Sequence, residues 1–173
     1  MNSRKYFLFF TMLVSLALNI SCYADEKDGN ELSLAIGFVS AEFSYKKRVS
    51  DKLFIGPSLG IGSSRTTSFV SDSKINQGSI RNENWLDLVA SFQATKTINI
   101  NTGLTLTKYS RVLDEFSNVS YSGNSTGIFV QPEIGSEYLR IGTKISVNKF
   151  HEDDHTGMGI QWTPLVIRAG FQW

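Results

Sequence analysis

The chain has 173 residues, one cysteine, and 17 basic against 16 acidic residues, a formal net charge of +1. One cysteine excludes a disulfide framework and a cysteine-based zinc site, and the near-even charge argues against nucleic acid as a partner. A hydrophobic fraction of 41% is low for a helical membrane protein but suits a membrane barrel, where only every second strand residue meets lipid.

The first 24 residues read as a secretory signal. Arg4 and Lys5 form a basic start, Tyr6 to Ile20 is an apolar run short for a spanning helix, and Ala24 is a small residue at the expected cut. Cys22 raises lipidation, but Asn19-Ile20-Ser21 before it lacks the leucine of a lipobox. Residues 25–173 then form one domain without cysteine, and loss of Arg4 and Lys5 leaves 15 basic and 16 acidic residues.

Eight alternating segments follow a polar lead-in at 25–30. The first spans about Glu31 to Val39, with Leu32, Leu34, Ile36 and Phe38 on one face and Ser33, Ala35 and Gly37 on the other. The second, Ala41 to Val49, sets Phe43 and Tyr45 against Glu42, Ser44, Lys46 and Arg48, and Ser50-Asp51-Lys52 makes a tight turn. The third, Leu53 to Gly62, contains Gly56-Pro57, where a bulge or bend is expected. The fourth is Trp85 to Ala94, the fifth Ile98 to Tyr109, the sixth Gly127 to Gly135 and the seventh Tyr138 to Lys149. The last, Leu165 to Trp173, alternates strictly: Leu165, Ile167, Ala169, Phe171 and Trp173 oppose Val166, Arg168, Gly170 and Gln172. No segment has helical apolar spacing over ten or more residues, so no helix is expected beyond the signal.

Link lengths add a second signal. The links after segments two, four and six are short, whereas Ser63–Asn84, Ser110–Thr126 and Phe150–Thr163 are long. Short periplasmic turns with longer external loops mark outer-membrane barrels. The link near Ser40 should be external too, yet it is short.

These features predict an all-β chain: an eight-stranded antiparallel up-and-down transmembrane barrel. Periodicity alone does not separate it from a soluble sandwich; the signal, the aromatic terminus and the link asymmetry do. A barrel of eight strands has an interior that side chains fill. Glu42, Lys46, Arg48, Asp87, Glu133, Arg140, Lys144 and Arg168 all oppose the apolar face, so they are expected to pair and plug the lumen, leaving no diffusion channel. Tyr45, Trp85, Tyr109, Tyr138, Trp162 and Trp173 lie near segment ends and read as interfacial girdle residues.

Three stretches resemble one family. They are Phe43-Ser44-Tyr45-Lys46-Lys47 leading through Ser50-Asp51-Lys52 into Leu53-Phe54-Ile55-Gly56, the run Ile128 to Leu139, and Ile167-Arg168-Ala169-Gly170-Phe171-Gln172-Trp173. Together they resemble the second strand, turn and third strand, the sixth strand and turn, and the closing strand of the Ail/Lom/OmpX group of small outer-membrane proteins, with Trp173 where Phe is usual. The resemblance implies the outer membrane of a Gram-negative bacterium, contact with its lipid and lipopolysaccharide, and delivery by periplasmic chaperones to the barrel-assembly machinery, with Phe171 and Trp173 as the assembly signal. It implies loops acting at the cell surface, as in adhesins and serum-resistance factors that meet host surface or matrix proteins. The short first link departs from the family. Membership does not by itself decide function, because loops carry it.

Little in the sequence points to chemistry. His151-Glu152-Asp153-Asp154-His155 gathers both histidines with three carboxylates, making His151, Asp153, Asp154 and His155 weak candidates for binding a divalent cation on an external loop. A solvated acidic tip explains the same residues. The enzymatic alternative is lipid A deacylation, which in some barrels uses a serine two residues after a histidine. Here Asp153 follows His151 and Gly157 follows His155 at that spacing, so the nucleophile is missing. Neither a catalytic residue nor a cofactor is expected.

Overall fold

Alternation of β-branched and aromatic residues with small polar ones favours extended pairing, because the apolar half of each strand packs or meets lipid as a unit. The computed structural model describes residues 29–37, 39–63, 65–69, 79–112, 120–152 and 155–173; the side chains at 65–69, 79–81, 111–112, 120–121 and 155 are outside that description. Residues 1–24, expected to be a signal, and the carboxylates Asp153 and Asp154 lie outside the described residues.

Nine strands form among them: β1 (Asn30–Gly37), β2 (Ser40–Ser50), β3 (Leu53–Gly62), β4 (Arg65–Phe69), β5 (Ser79–Gln93), β6 (Ile98–Val112), β7 (Ser120–Gly135), β8 (Leu139–Glu152) and β9 (His155–Gln172). Eight of them, all but β4, make a closed antiparallel barrel in chain order. The seam is β1 against β9, from Glu31↔Gln172 to Gly37↔Val166. Asn30 and Trp173 extend it, each backbone N–H donating to the other's carbonyl at 3.0 and 3.1 Å. Closure pairs every strand on both sides, which hydrocarbon demands, since an unpaired backbone group there costs several kcal/mol.

The wall is tall on one side. β1, β2 and β3 have 8, 11 and 10 residues, whereas β5 to β9 have 15, 15, 16, 14 and 18. A tilted strand crosses a bilayer in about 9–11 residues. β5 to β9 therefore overshoot at the end away from the termini. Much of what the link lengths suggested as long loops is strand. β5 begins at Ser79 rather than Trp85, and β7 at Ser120 rather than Gly127. The expected loop Phe150–Thr163 is a hairpin tip in which Glu152 pairs with His155. Side chains on both faces of these extensions are mostly small and polar, so they alternate weakly while the backbone keeps pairing.

The short first link is real, since β1 ends at Gly37 and β2 starts at Ser40. It leaves β9 without its neighbour beyond Val166. The unforeseen β4 takes that place: Arg65 to Phe69 pair with Trp162 to Met158, and Arg65 also reaches Ser79 of β5. The gap above the low hairpin is thus covered by chain that has just left β3.

Register shifts fall at Arg48/Ser50, Ile80/Asn82 and Gly142/Lys144. At Gly56-Pro57, where the sequence suggested a bulge or bend, the β2–β3 ladder skips from Ser44↔Ser58 to Lys47↔Ile55 without a register shift, while β3 pairs with β5 without interruption from Leu53 to Gly62. Gly56 is needed there for another reason: a Cβ on it would collide with the Tyr45 carbonyl of β2. Opposite Gly142/Lys144, β9 changes parity across Thr163-Pro164-Leu165. Gln161 and Gly159 face inward before it, Val166 and Arg168 after it.

Candidate functional site

The interior is polar and the exterior apolar, the reverse of a soluble domain. Glu31, Lys46, Asp87, Asn101, Gln131 and Asn148 are at most 1% exposed, while Leu88, Leu104, Ile128 and Ile134 are 55–64% exposed. An apolar belt of this extent suits lipid rather than water. The chain is a membrane-spanning barrel.

Alternation puts the charges inside, and cross-strand register brings them together. Near the termini, Glu31 of β1 accepts from Lys46 at 2.8 Å, Arg140 at 3.1 Å and Gln172 at 3.1 Å. In the middle, Arg168 of β9 donates to Glu133 of β7 at 2.7 Å and to Glu42 of β2 at 2.8 Å. Its remaining nitrogen reaches the Ser33 and Ser44 hydroxyls at 3.0 and 3.3 Å. Gln131 and Asn99 donate to Glu133 at 2.8 and 3.5 Å. Higher, Lys144 of β8 pairs with Asp87 of β5 and, at 3.4 Å, with Glu42. Its ammonium also lies 4.5 Å from the Phe129 ring centroid and 5.2 Å from that of Trp85. Four acids face four bases, so the network is neutral, and it ties walls on opposite sides of the lumen. Pairing of this kind is what makes burying charge tolerable.

Above the ions, Asn148 donates to Gln161, and Gln161 to Glu83 at 2.9 Å. Tyr109 and Phe150, each 3% exposed, then meet edge to face at 5.4 Å inside the far mouth. A cavity of about 30 Å³ beside Lys144, Trp85 and Gln161 is room for roughly one water.

Seven of the eight charged residues named from the sequence sit in this network. Arg48 does not. It stands at the near end with its guanidinium 5.1 Å from the Phe54 ring centroid. Glu31 was missed, although alternation places it on the face of Ser33 and Ala35. Glu83 and Gln161 were missed because they lay in stretches read as loops.

Two aromatic assignments are corrected. Trp85 and Tyr109 face inward, not toward the interface. Trp85 has room because Gly60 is its cross-strand partner, where a Cβ would strike the indole. Trp162 faces outward but lies mid-strand, its indole N–H donating to Thr143 Oγ1 at 2.7 Å. Tyr45, Phe171 and Trp173 gather outside the near end, with Trp173 5.7 Å from Phe171 and 6.4 Å from Tyr45. Of the cation candidates, His151 is exposed on the outer face of β8, while Glu152 points inward. Asp153, Asp154 and the His155 side chain lie outside the described residues. Among the described residues, no group of three or more His, Cys, Asp or Glu is placed to hold a metal.

No family model matches the chain, and no curated protein matches it. Solved structures similar to it include the attachment invasion locus protein Ail of Yersinia pestis, at 13% identity over 83% of this chain and 94% of that one, with a TM-score of 0.39. The N-terminal β-barrel domain of Pseudomonas aeruginosa OprF is similar at 16% identity, over 82% and 95%, with a TM-score of 0.38. The barrel is consistent with the Ail/Lom/OmpX resemblance.

Proposed function

We propose that the chain is an integral barrel of a Gram-negative outer membrane. Its far end stands outside the cell as a structural or interaction surface, and the molecule neither conducts solutes nor modifies lipid A. The overshoot of β5 to β9 carries this reading. A barrel needed only to span would stop at bilayer height, as β1 to β3 do. The overshoot carries paired wall beyond bilayer height as a platform. Phe171 and Trp173, at the closing seam, serve in this reading as the signal for barrel assembly, reached through periplasmic chaperones.

Heat-modifiable gel mobility of the outer-membrane fraction tests closure and location together. Binding of expressing cells to host surface and matrix proteins, with and without residues 70–78, tests the interaction role. Insertion should survive that deletion and binding should change. Unaltered binding and envelope properties would reduce the role to a structural one. Catalysis forms no part of the reading, and mass spectrometry of lipid A from cells with and without the protein should give one acylation pattern.

A further inference from the structure

The near mouth holds one cation outside the neutral network. Arg48 follows Lys46 on the inward face of β2, and its guanidinium lies 5.1 Å from the ring centroid of Phe54, which is 3% exposed. The ring occupies one face of the guanidinium and leaves its edge donors free. Arg48 Nε is buried without a hydrogen-bond partner, and among the described residues no carboxylate pairs with this side chain. Glu31, one inward row higher on β1, already accepts from Lys46, Arg140 and Gln172. Gly29, where the described chain begins, stands directly beside Arg48. Its carbonyl accepts the Arg48 backbone N–H, and a Cβ built on it would lie 3.6 Å from the Arg48 Cβ. Glycine thus puts no side chain at the inward place below Glu31. Its φ of 42° is a left-handed turn that takes the chain off the strand line. The four residues before it in sequence are Asp25-Glu26-Lys27-Asp28.

We propose that residues 25–28 are a strap that folds into the near mouth, where their carboxylates take up the free donors of Arg48 and close the lumen at that end. Charge and reach select this occupant. On the expected cleavage after Ala24, the segment carries three carboxylates against Lys27 and one α-amino group, a net charge of −1 that matches the single positive charge of Arg48. Four residues extend at most about 14 Å, enough to lie across a lumen that side chains alone can fill. The turn at Gly29 starts the segment beside its target. A carboxylate brought to the edge of a partly buried guanidinium makes charge-assisted hydrogen bonds, which are stronger than neutral ones. Closing this mouth also keeps water from the layer of Glu31, Lys46 and Arg140 directly above, where ion pairs gain from a low dielectric.

The test uses the processed protein in neutral detergent, with Lys27→Cys as the reporter, since residues 25–173 contain no other cysteine. Its rate of modification by a water-soluble maleimide is compared with that of Lys96→Cys, in the exposed turn between β5 and β6. Each rate is divided by that of the same chain after heat unfolding, which removes the effect of neighbouring charge on thiol reactivity. Lys27→Cys should react about tenfold or more slowly than Lys96→Cys, the size set by one charge-assisted hydrogen bond. Adding Arg48→Gln should bring the two rates together. Adding Asp25→Asn/Glu26→Gln/Asp28→Asn instead should do the same with Arg48 in place, and these substitutions lie outside every strand, so closure does not depend on them. Heat-modifiable mobility verifies that each variant is closed before it is labelled. Equal rates for the two reporters in the otherwise unchanged chain overturn the strap. So does protection that outlasts Arg48→Gln, which would put the segment against another partner, and so does protection that outlasts loss of the three carboxylates, which would make charge irrelevant to it.

Discussion

Arg168 shows what one residue does in this interior. It is 2% exposed and bridges two carboxylates on different strands, with serine hydroxyls taking another of its protons. Replacing it with Met removes the charge but keeps much of the volume, and leaves Glu42 and Glu133 buried with fewer partners. Removing one member of a buried ionic group costs about 3–5 kcal/mol. Arg168→Met should lower barrel stability by that order in urea titrations followed by gel mobility. Adding Glu133→Gln should recover part of the loss, because the orphaned charge rather than the missing contact dominates it. Gly60 makes the complementary case. Here an added methyl meets the Trp85 ring and forces repacking, at a cost of about 1–3 kcal/mol. Gly60→Ala should destabilise on its own and be rescued by Trp85→Leu; lack of rescue in the same titration would mean that the backbone, not the indole, needs the glycine.

At the level of elements, the least expected piece is β4, and it is open to direct test. Thr67 pairs with Ile160 across β4 and β9, and cross-strand Cα separations of about 4.5–5.5 Å fall within disulfide range. Thr67→Cys with Ile160→Cys should crosslink on mild oxidation, seen as a shift in reduced against non-reduced mobility; Thr67→Cys with Leu104→Cys, on a distant strand, should not. The sequence hides β4 because Arg65-Thr66-Thr67-Ser68-Phe69 has no apolar face, so only the position left vacant beside β9 specifies it. The belt-height strands were legible, because there Leu, Ile and Val alternate with charges that have nowhere to go but inward. The strand extensions were not, since Thr156-Gly157-Met158-Gly159 contrasts too weakly. The lumen network was legible in composition but not in pairing: Arg168 meets Glu42 and Glu133 only once closure joins β9 to β1 and curves β7 around. Trp85 and Tyr109 were misassigned because an aromatic side chain suits either face. Cross-strand space decides, and Gly60 and Gly123 provide it.

For the molecule as a whole, inversion and plugging lead to separate outcomes. If the belt meets hydrocarbon, an arginine at Leu104 should cost about 2–4 kcal/mol of insertion stability, and one at Asn84, beyond the belt, about 0–1; equal costs from folding titrations in vesicles would deny the membrane its place. Conduction depends on the interior alone. Pairs from β2 to β8 and β9, from β8 to β5 and from β9 to β7 cross the lumen at several heights, and the Tyr109–Phe150 contact lies inside the far mouth, so an ion on the axis would have to part charge pairs that exclude it. Planar bilayers carrying the folded protein should therefore show no steady unitary current. Since the block is ionic rather than purely steric, shortening its side chains should weaken it: Lys144→Ala with Arg168→Ala leaves Glu42, Asp87 and Glu133 without those counter-ions and enlarges the cavity. That variant, if it closes by gel mobility, should pass cations in preference to anions. Steady current through the parent would mean that the plug opens at rest, and a silent, closed double variant would shift the seal to the aromatic pair at the mouth.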